Sequence, residues 1–169
     1  MSRMRRVLVA IAAGVVCLWP AGTGHAGQVT QPMNVSLAYG PEGPEVSLWV
    51  QPLSFHGAEY GLGTATITVE APHGMTYIVF LDQGVHSSPG DAIRHLGNGT
   101  TLLQYQLYRD ADRLFPWGDG TFLGQPVYGI GVGGLYSYAV YGRTDFYSSV
   151  PGGLPDGTYT DFVTVKVEF

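Results

Sequence analysis

Thr158-Tyr159-Thr160-Asp161-Phe162-Val163-Thr164-Val165-Lys166-Val167-Glu168-Phe169 is the stretch from which the fold is read. Val163, Val165, Val167 and Phe169 recur at period two, with Thr164, Lys166 and Glu168 between them, so an extended segment has one apolar and one wet face. Such a strand needs its core face covered, and an unpaired edge invites pairing. No further strand follows it in the sequence. A second segment of the same character lies near the other end, at residues 33–39, where Met33, Val35, Leu37 and Tyr39 share a face. The expectation is that this segment of one molecule completes the last strand of another.

The intervening sequence alternates in the same way. Val46, Leu48 and Val50 form one such set, and Ala65, Ile67 and Val69 alternate with threonines in another. Leu103, Tyr105 and Leu107 alternate with Gln104 and Gln106. All three sets read as half-buried strands. Residues 77–81, apolar on both faces, predict a central strand, and residues 121–130 and 135–141 are further apolar stretches. Residues 85–99 predict a long loop or hairpin. No window has a period of 3.6 with caps, and 25 glycines and 11 prolines would break one in most places. The expected fold is all-β, a sandwich of about seven strands.

Arg3, Arg5 and Arg6 precede an apolar run at 7–16, and Gly24-His25-Ala26 offers small residues for cleavage, so 1–26 reads as a secretory signal peptide. Cys17 follows Val16, not the small residue that lipidation needs. Beyond the signal, residues 27–40 form an extended arm. Gly40-Pro41-Glu42-Gly43-Pro44 separates it from a domain at 41–169. The exported part holds five basic residues, Arg94, Arg109, Arg113, Arg143 and Lys166, against all 13 acidic ones. That surplus disfavours nucleic acid and anionic membranes. The exported part has no cysteine, so a disulfide cannot stabilise it.

The residues of chemistry are scattered. His56, His73, His86 and His95 lack metal-ligand spacing and read as loop or surface residues. Asp110, Asp112 and Asp119 lack the glycine and closing glutamate of a calcium loop. There is no Gly-x-Ser-x-Gly elbow, and Gly129-Ile130-Gly131-Val132-Gly133-Gly134 has no helix pattern after it to bind phosphate. Neither catalysis, a metal nor a cofactor is expected. Asn34-Val35-Ser36 and Asn98-Gly99-Thr100 fit glycosylation sequons. Tyr136, Tyr138, Tyr141, Phe146 and Tyr147 crowd one region. They suit a sandwich core or a subunit contact better than a platform for sugars or a surface.

An ordered set of short motifs resembles the spore coat protein U domain family, which includes the archaic, Csu-type chaperone–usher pilins. It comprises Tyr77-Ile78-Val79-Phe80-Leu81-Asp82-Gln83-Gly84, Arg94-His95-Leu96, Leu103-Gln104-Tyr105-Gln106-Leu107-Tyr108-Arg109-Asp110, Trp117-Gly118-Asp119-Gly120, Tyr141-Gly142-Arg143 and Pro155-Asp156-Gly157-Thr158-Tyr159-Thr160-Asp161. The resemblance runs from about residue 33 to 169. It implies an immunoglobulin-like β-sandwich lacking its last strand, held by a periplasmic chaperone, delivered to an outer-membrane usher and completed by a neighbouring subunit's donor strand. The donor face would be Met33, Val35, Leu37 and Tyr39. The acceptor groove, met first by the chaperone, would be Val163, Val165, Val167 and Phe169. The product would be a surface pilus serving adhesion and biofilm formation, built from identical or related pilin subunits. The rival readings are a minor or tip-proximal binding subunit and a self-folding secreted coat protein. Family members carry a cysteine pair joining early strands. Here the matching positions are Val46 and Ala71.

Overall fold

The computed structural model describes residues 46–57, 59–88 and 90–169 throughout, together with the backbone of the strands Val7–Ile11 (β1), Val16–Leu18 (β2) and Gly27–Thr30 (β3). Alternating burial runs along the strands that follow. These are β4 (Ser47–Val50), β5 (His56–Gly57), β6 (Leu62–Ala71), β7 (Thr76–Leu81), β8 (Arg94–Gly97), β9 (Leu102–Tyr108), β10 (Val127–Ile130), β11 (Gly134–Thr144) and β12 (Thr164–Glu168). A 3₁₀ turn at Tyr147–Ser149 is the only helical element among the described residues. No helix there is long and apolar enough to cross a membrane.

The strands form two antiparallel sheets, ordered β1-β12-β7-β10 and β2-β3-β5-β6-β11-β9-β8, with β4 added along β6. The inward residues follow the alternation. Ile67 and Val69 of β6, Leu103 and Tyr105 of β9, and Val140 of β11 face Tyr77, Val79 and Leu81 of β7 and Val165 and Val167 of β12 in one core. The fold is thus an all-β sandwich, and β7, expected to be central, lies between β12 and β10.

Three features depart from the expected strand map. Within the stretch anticipated as loop or hairpin, residues 94–97 pair with β9. The apolar run from 121 yields a strand only at 127–130, because Gly118, Gly120 and Gly124 hold a tight loop ahead of it. Trp117 in that loop is fully buried and joins the sheets. Its backbone N–H donates to Leu107 O at 2.9 Å, and its indole Nε1–H donates to Val79 O at 3.0 Å. Lastly, β12 begins at Thr164, so Val163 is a buried residue just ahead of the strand.

The β4–β6 register pairs Ser47 with Glu70, and one step further along it Val46 lies opposite Ala71. Both are buried, at 3% and 2% exposure. Opposed antiparallel residues have Cα atoms about 4.5–5.5 Å apart, within the range a disulfide spans. Val46→Cys with Ala71→Cys is therefore expected to form a bond spontaneously in an oxidising compartment. The gain is about 2–4 kcal/mol, or about 5–15 °C in melting temperature. Two titratable thiols persisting after oxidation would show that the positions do not face each other.

Candidate assembly surface

The surface of interest is built on β12, whose start is fixed by carboxylates. Asp82, at the end of β7, accepts from Thr164 N at 2.8 Å and from Gly84 N at 2.9 Å through Oδ1, and its own N–H donates to Thr164 O at 3.1 Å. Asp161 is completely buried. It accepts from Val85 N at 2.9 Å, from His86 N at 3.3 Å and from the Tyr105 hydroxyl at 2.5 Å. Gly84 has φ +78°, and a Cβ there would run into the Asp161 carboxylate, so only glycine permits this approach. Burial, and then the Asp161 charge, push the Tyr105 phenol well above its ordinary range, which keeps it a donor.

Beside this carboxylate lies Arg94, also with no exposure. Its guanidinium donates to Asp82 O at 2.7 Å, Leu81 O at 3.2 Å, Trp117 O at 3.0 Å and Gln106 Oε1 at 2.5 Å. Burial lowers its pKa, opposed by the fields of Tyr105, Asp82 and Asp161. The polar cluster therefore ties the end of β7, the Trp117 loop, β9 and the lead-in to β12 together through satisfied hydrogen bonds.

From that anchor β12 runs antiparallel to β7, with Val165 opposite Leu81 and Val167 opposite Val79. Val163, Val165 and Val167 are buried at 5%, 1% and 0% exposure, and Phe169 packs half-buried against the core. Lys166 points outward, pairs with Glu168 at 2.5 Å and lies over the Phe80 ring at 5.4 Å. The other edge of β12 is taken by β1, antiparallel, from Val7 opposite Glu168 to Ile11 opposite Thr164. All five residues of β12 are thus paired along this edge. The occupant belongs to the segment that reads as a signal peptide. The anticipated donor residues Met33, Val35, Leu37 and Tyr39 lie outside the described residues. The start of the same arm, Gly27–Thr30, pairs with β2 and β5.

The histidines and tyrosines take varied places. The His86 ring lies 3.2 Å from Asp161, an arrangement that in other settings orients a base. Its ring packs against Gly97, where an added Cβ would fall 2.9 Å from Nε2. No group of three or more metal-ligating side chains occurs among the described residues. The expected aromatic cluster divides between surface and core. Tyr136 and Phe146 are exposed, Tyr138 is half-buried with its hydroxyl 2.9 Å from that of Tyr77, and Tyr147 is buried. The buried Arg94 and Asp161 were not singled out as site residues from sequence. The signal lay in the short motifs that hold them, Arg94-His95-Leu96 and the run from Pro155 to Asp161.

The comparisons with known proteins agree with this architecture. Protein U of Myxococcus xanthus is 32% identical over 115 residues, covering 63% of this chain and 60% of that protein. Among solved structures, the chaperone–tip adhesion subunit pre-assembly complex CsuC–CsuE, from archaic chaperone-usher Csu pili of Acinetobacter baumannii, contains a chain that matches with a TM-score of 0.55. The identity is 18%, over 94% of this chain and 60% of that one, a likeness of fold. The chain therefore spans about 60% of the length of each of these two relatives. The Spore Coat Protein U domain model matches residues 50–166, from β4 to the middle of β12, and the chain belongs to that family.

Proposed function

We propose that the chain is an exported structural subunit that polymerises by strand addition at the outer edge of β12. The observation that carries this reading is the pairing of that edge with a whole strand from residues 7–11. Signal cleavage would remove that strand and leave five residues of β12 with open backbone groups above a valine-lined core. A periplasmic chaperone would cover the edge first, and residues 33–39 of the next subunit would replace it at an outer-membrane usher. The incoming strand brings four large side chains at about 1.5–3 kcal/mol each, and its ladder bonds add about 0.5–1.5 kcal/mol apiece. One strand thus contributes as much as a typical domain's whole stability, about 5–15 kcal/mol. Because the donor and acceptor surfaces differ, the contact does not close and a filament results, which suits a role in surface adhesion.

Deleting residues 27–40 tests the proposal. The truncated subunit is expected to be captured by its chaperone and to form no polymer with itself, scored by electron microscopy and resistance to detergent. Filaments of ordinary length from the truncated protein alone would refute strand donation by this arm.

A further inference from the structure

On the solvent face of the sheet that does not contain β12 there is an open cleft of about 470 Å³, bordered by β9, the end of β11 and the loop before β6. One wall is an aromatic pair, Tyr60 and Phe146, edge to face with centroids 5.2 Å apart. Phe146 lines the cleft and is 51% exposed. The wall is fixed in place. Tyr147 N donates to Glu59 O at 2.8 Å, Thr144 N to Gly61 O at 2.9 Å, and Gly61 N to Thr144 Oγ1 at 2.6 Å, so the two segments carrying the rings are laced together. The opposite side is apolar, from Ile93 and Pro116.

The floor is polar and only partly used. Gln106 is spent internally, accepting from Arg94 and Leu107 N and donating to Ala92 O. Gln104 and Arg143, by contrast, have no side-chain hydrogen-bond or ion-pair partner among the described residues, although both line the cleft. Asp145 accepts from Phe146 N at 2.9 Å through Oδ1, which leaves Oδ2 free. The cleft therefore presents a donor-only group, an acceptor-only group and an amide that is both, beside an exposed ring. Vicinal hydroxyls, each donor and acceptor, match that set, and the flat C–H face of a sugar ring matches the aromatic wall. A purely apolar ligand would desolvate Arg143 and Asp145 without replacing their water. An anion would meet Asp145 and an acidic protein surface.

We propose that this cleft is a carbohydrate-binding site for a neutral pyranose, with Phe146 stacking on the ring and Arg143, Asp145 and Gln104 holding hydroxyls. It is separate from the β12 edge, so subunit assembly and sugar binding can be tested independently. The preformed wall lowers the ordering cost of binding.

The test is ligand-observed NMR on the full exported chain, in the assembled form in which it is isolated. The probes are the methyl glycosides of glucose, galactose, mannose and N-acetylglucosamine, with N-acetylneuraminic acid as the acidic comparison. Saturable binding of at least one neutral glycoside is expected. Phe146→Ala and Arg143→Ala should each weaken it by about tenfold or more, whereas Tyr128→Ala on the other sheet should leave it unchanged. Arg143 is exposed, so its variant should melt with the wild type and keep the test valid even if Phe146→Ala is destabilised. No saturable binding of any of the four glycosides, equal binding by the wild type and Arg143→Ala, or preference for the acidic sugar would each overturn the proposal.

Discussion

Val167→Arg is expected to prevent accumulation of the folded protein, whereas Lys166→Glu, one residue away, is expected to leave it nearly intact. Val167 has no exposure and lies between its partners on β1 and β7. An arginine there must either bury an unpaired charge or tear β12 from the core, at a cost of several kcal/mol against a total stability of about 5–15 kcal/mol. Lys166 faces outward with 40% of its side chain exposed. Its replacement loses a surface ion pair and a contact over Phe80, and sets two carboxylates near each other, which together cost about 1 kcal/mol or less. Soluble yield and thermal unfolding of residues 27–169 measure both effects. A near-normal melting temperature for Val167→Arg alongside collapse of Lys166→Glu would mean that the opposite face of β12 is the buried one.

Arg94→Met is expected to be nearly as damaging, although it replaces a charge with an apolar group of similar length. Four acceptors lose a hydrogen bond at once: the carbonyls of Leu81, Asp82 and Trp117, and the Gln106 amide oxygen, which keeps only that from Leu107 N. Breaking a buried charged cluster from one side costs about 3–5 kcal/mol, or a fall of roughly 10 °C or more in melting temperature for a domain of this size. Arg94→Lys should not restore it, because an ammonium is a point charge that cannot span the fork of acceptors. Arg109→Met serves as the control. Arg109 lies over the Phe115 ring at 5.5 Å, and its loss should be worth about 1 kcal/mol or less. Equal melting of Arg94→Met and wild type would show that the cluster is dispensable.

The contrast between these residues explains what the sequence disclosed. Period-two alternation survived into the fold wherever a strand has one wet face. Ala65, Ile67 and Val69 are all buried, as are Leu103, Tyr105 and Leu107, and Val165 and Val167 behave in the same way. Alternation is silent where the inward residue is charged. Arg94 occupies an inward position of β8, a four-residue strand whose composition reads as loop, and a lone arginine is ordinarily a surface residue. Asp161 was hidden for the same reason. His86, expected in a loop or on the surface, lies in the loop after β7 and is half-buried against that carboxylate. The aromatic wall of the sugar cleft was only half legible, because Phe146 stood in the noticed cluster while Tyr60 comes from a loop more than eighty positions earlier. Nearness of that kind is set by the lacing of two loops, and no local pattern encodes it.

The contact of Thr164 with Asp82 joins positions 82 apart in sequence, and the lead-in to β12 also pairs Thr160 with Gly97 in the other sheet, at 2.8 Å in both directions. These contacts govern when the molecule can fold. A chain made or threaded from its N-terminus presents β7 and β10 long before β12 emerges. Through that interval Tyr77, Val79 and Leu81 have no covering strand on one side. Non-local pairing of this order slows folding and prolongs the lifetime of sticky intermediates. The clamp that makes the finished sandwich rigid thus also sets a deadline late in synthesis, and a partner that covers the β12 edge can act only once residues 160–168 have arrived.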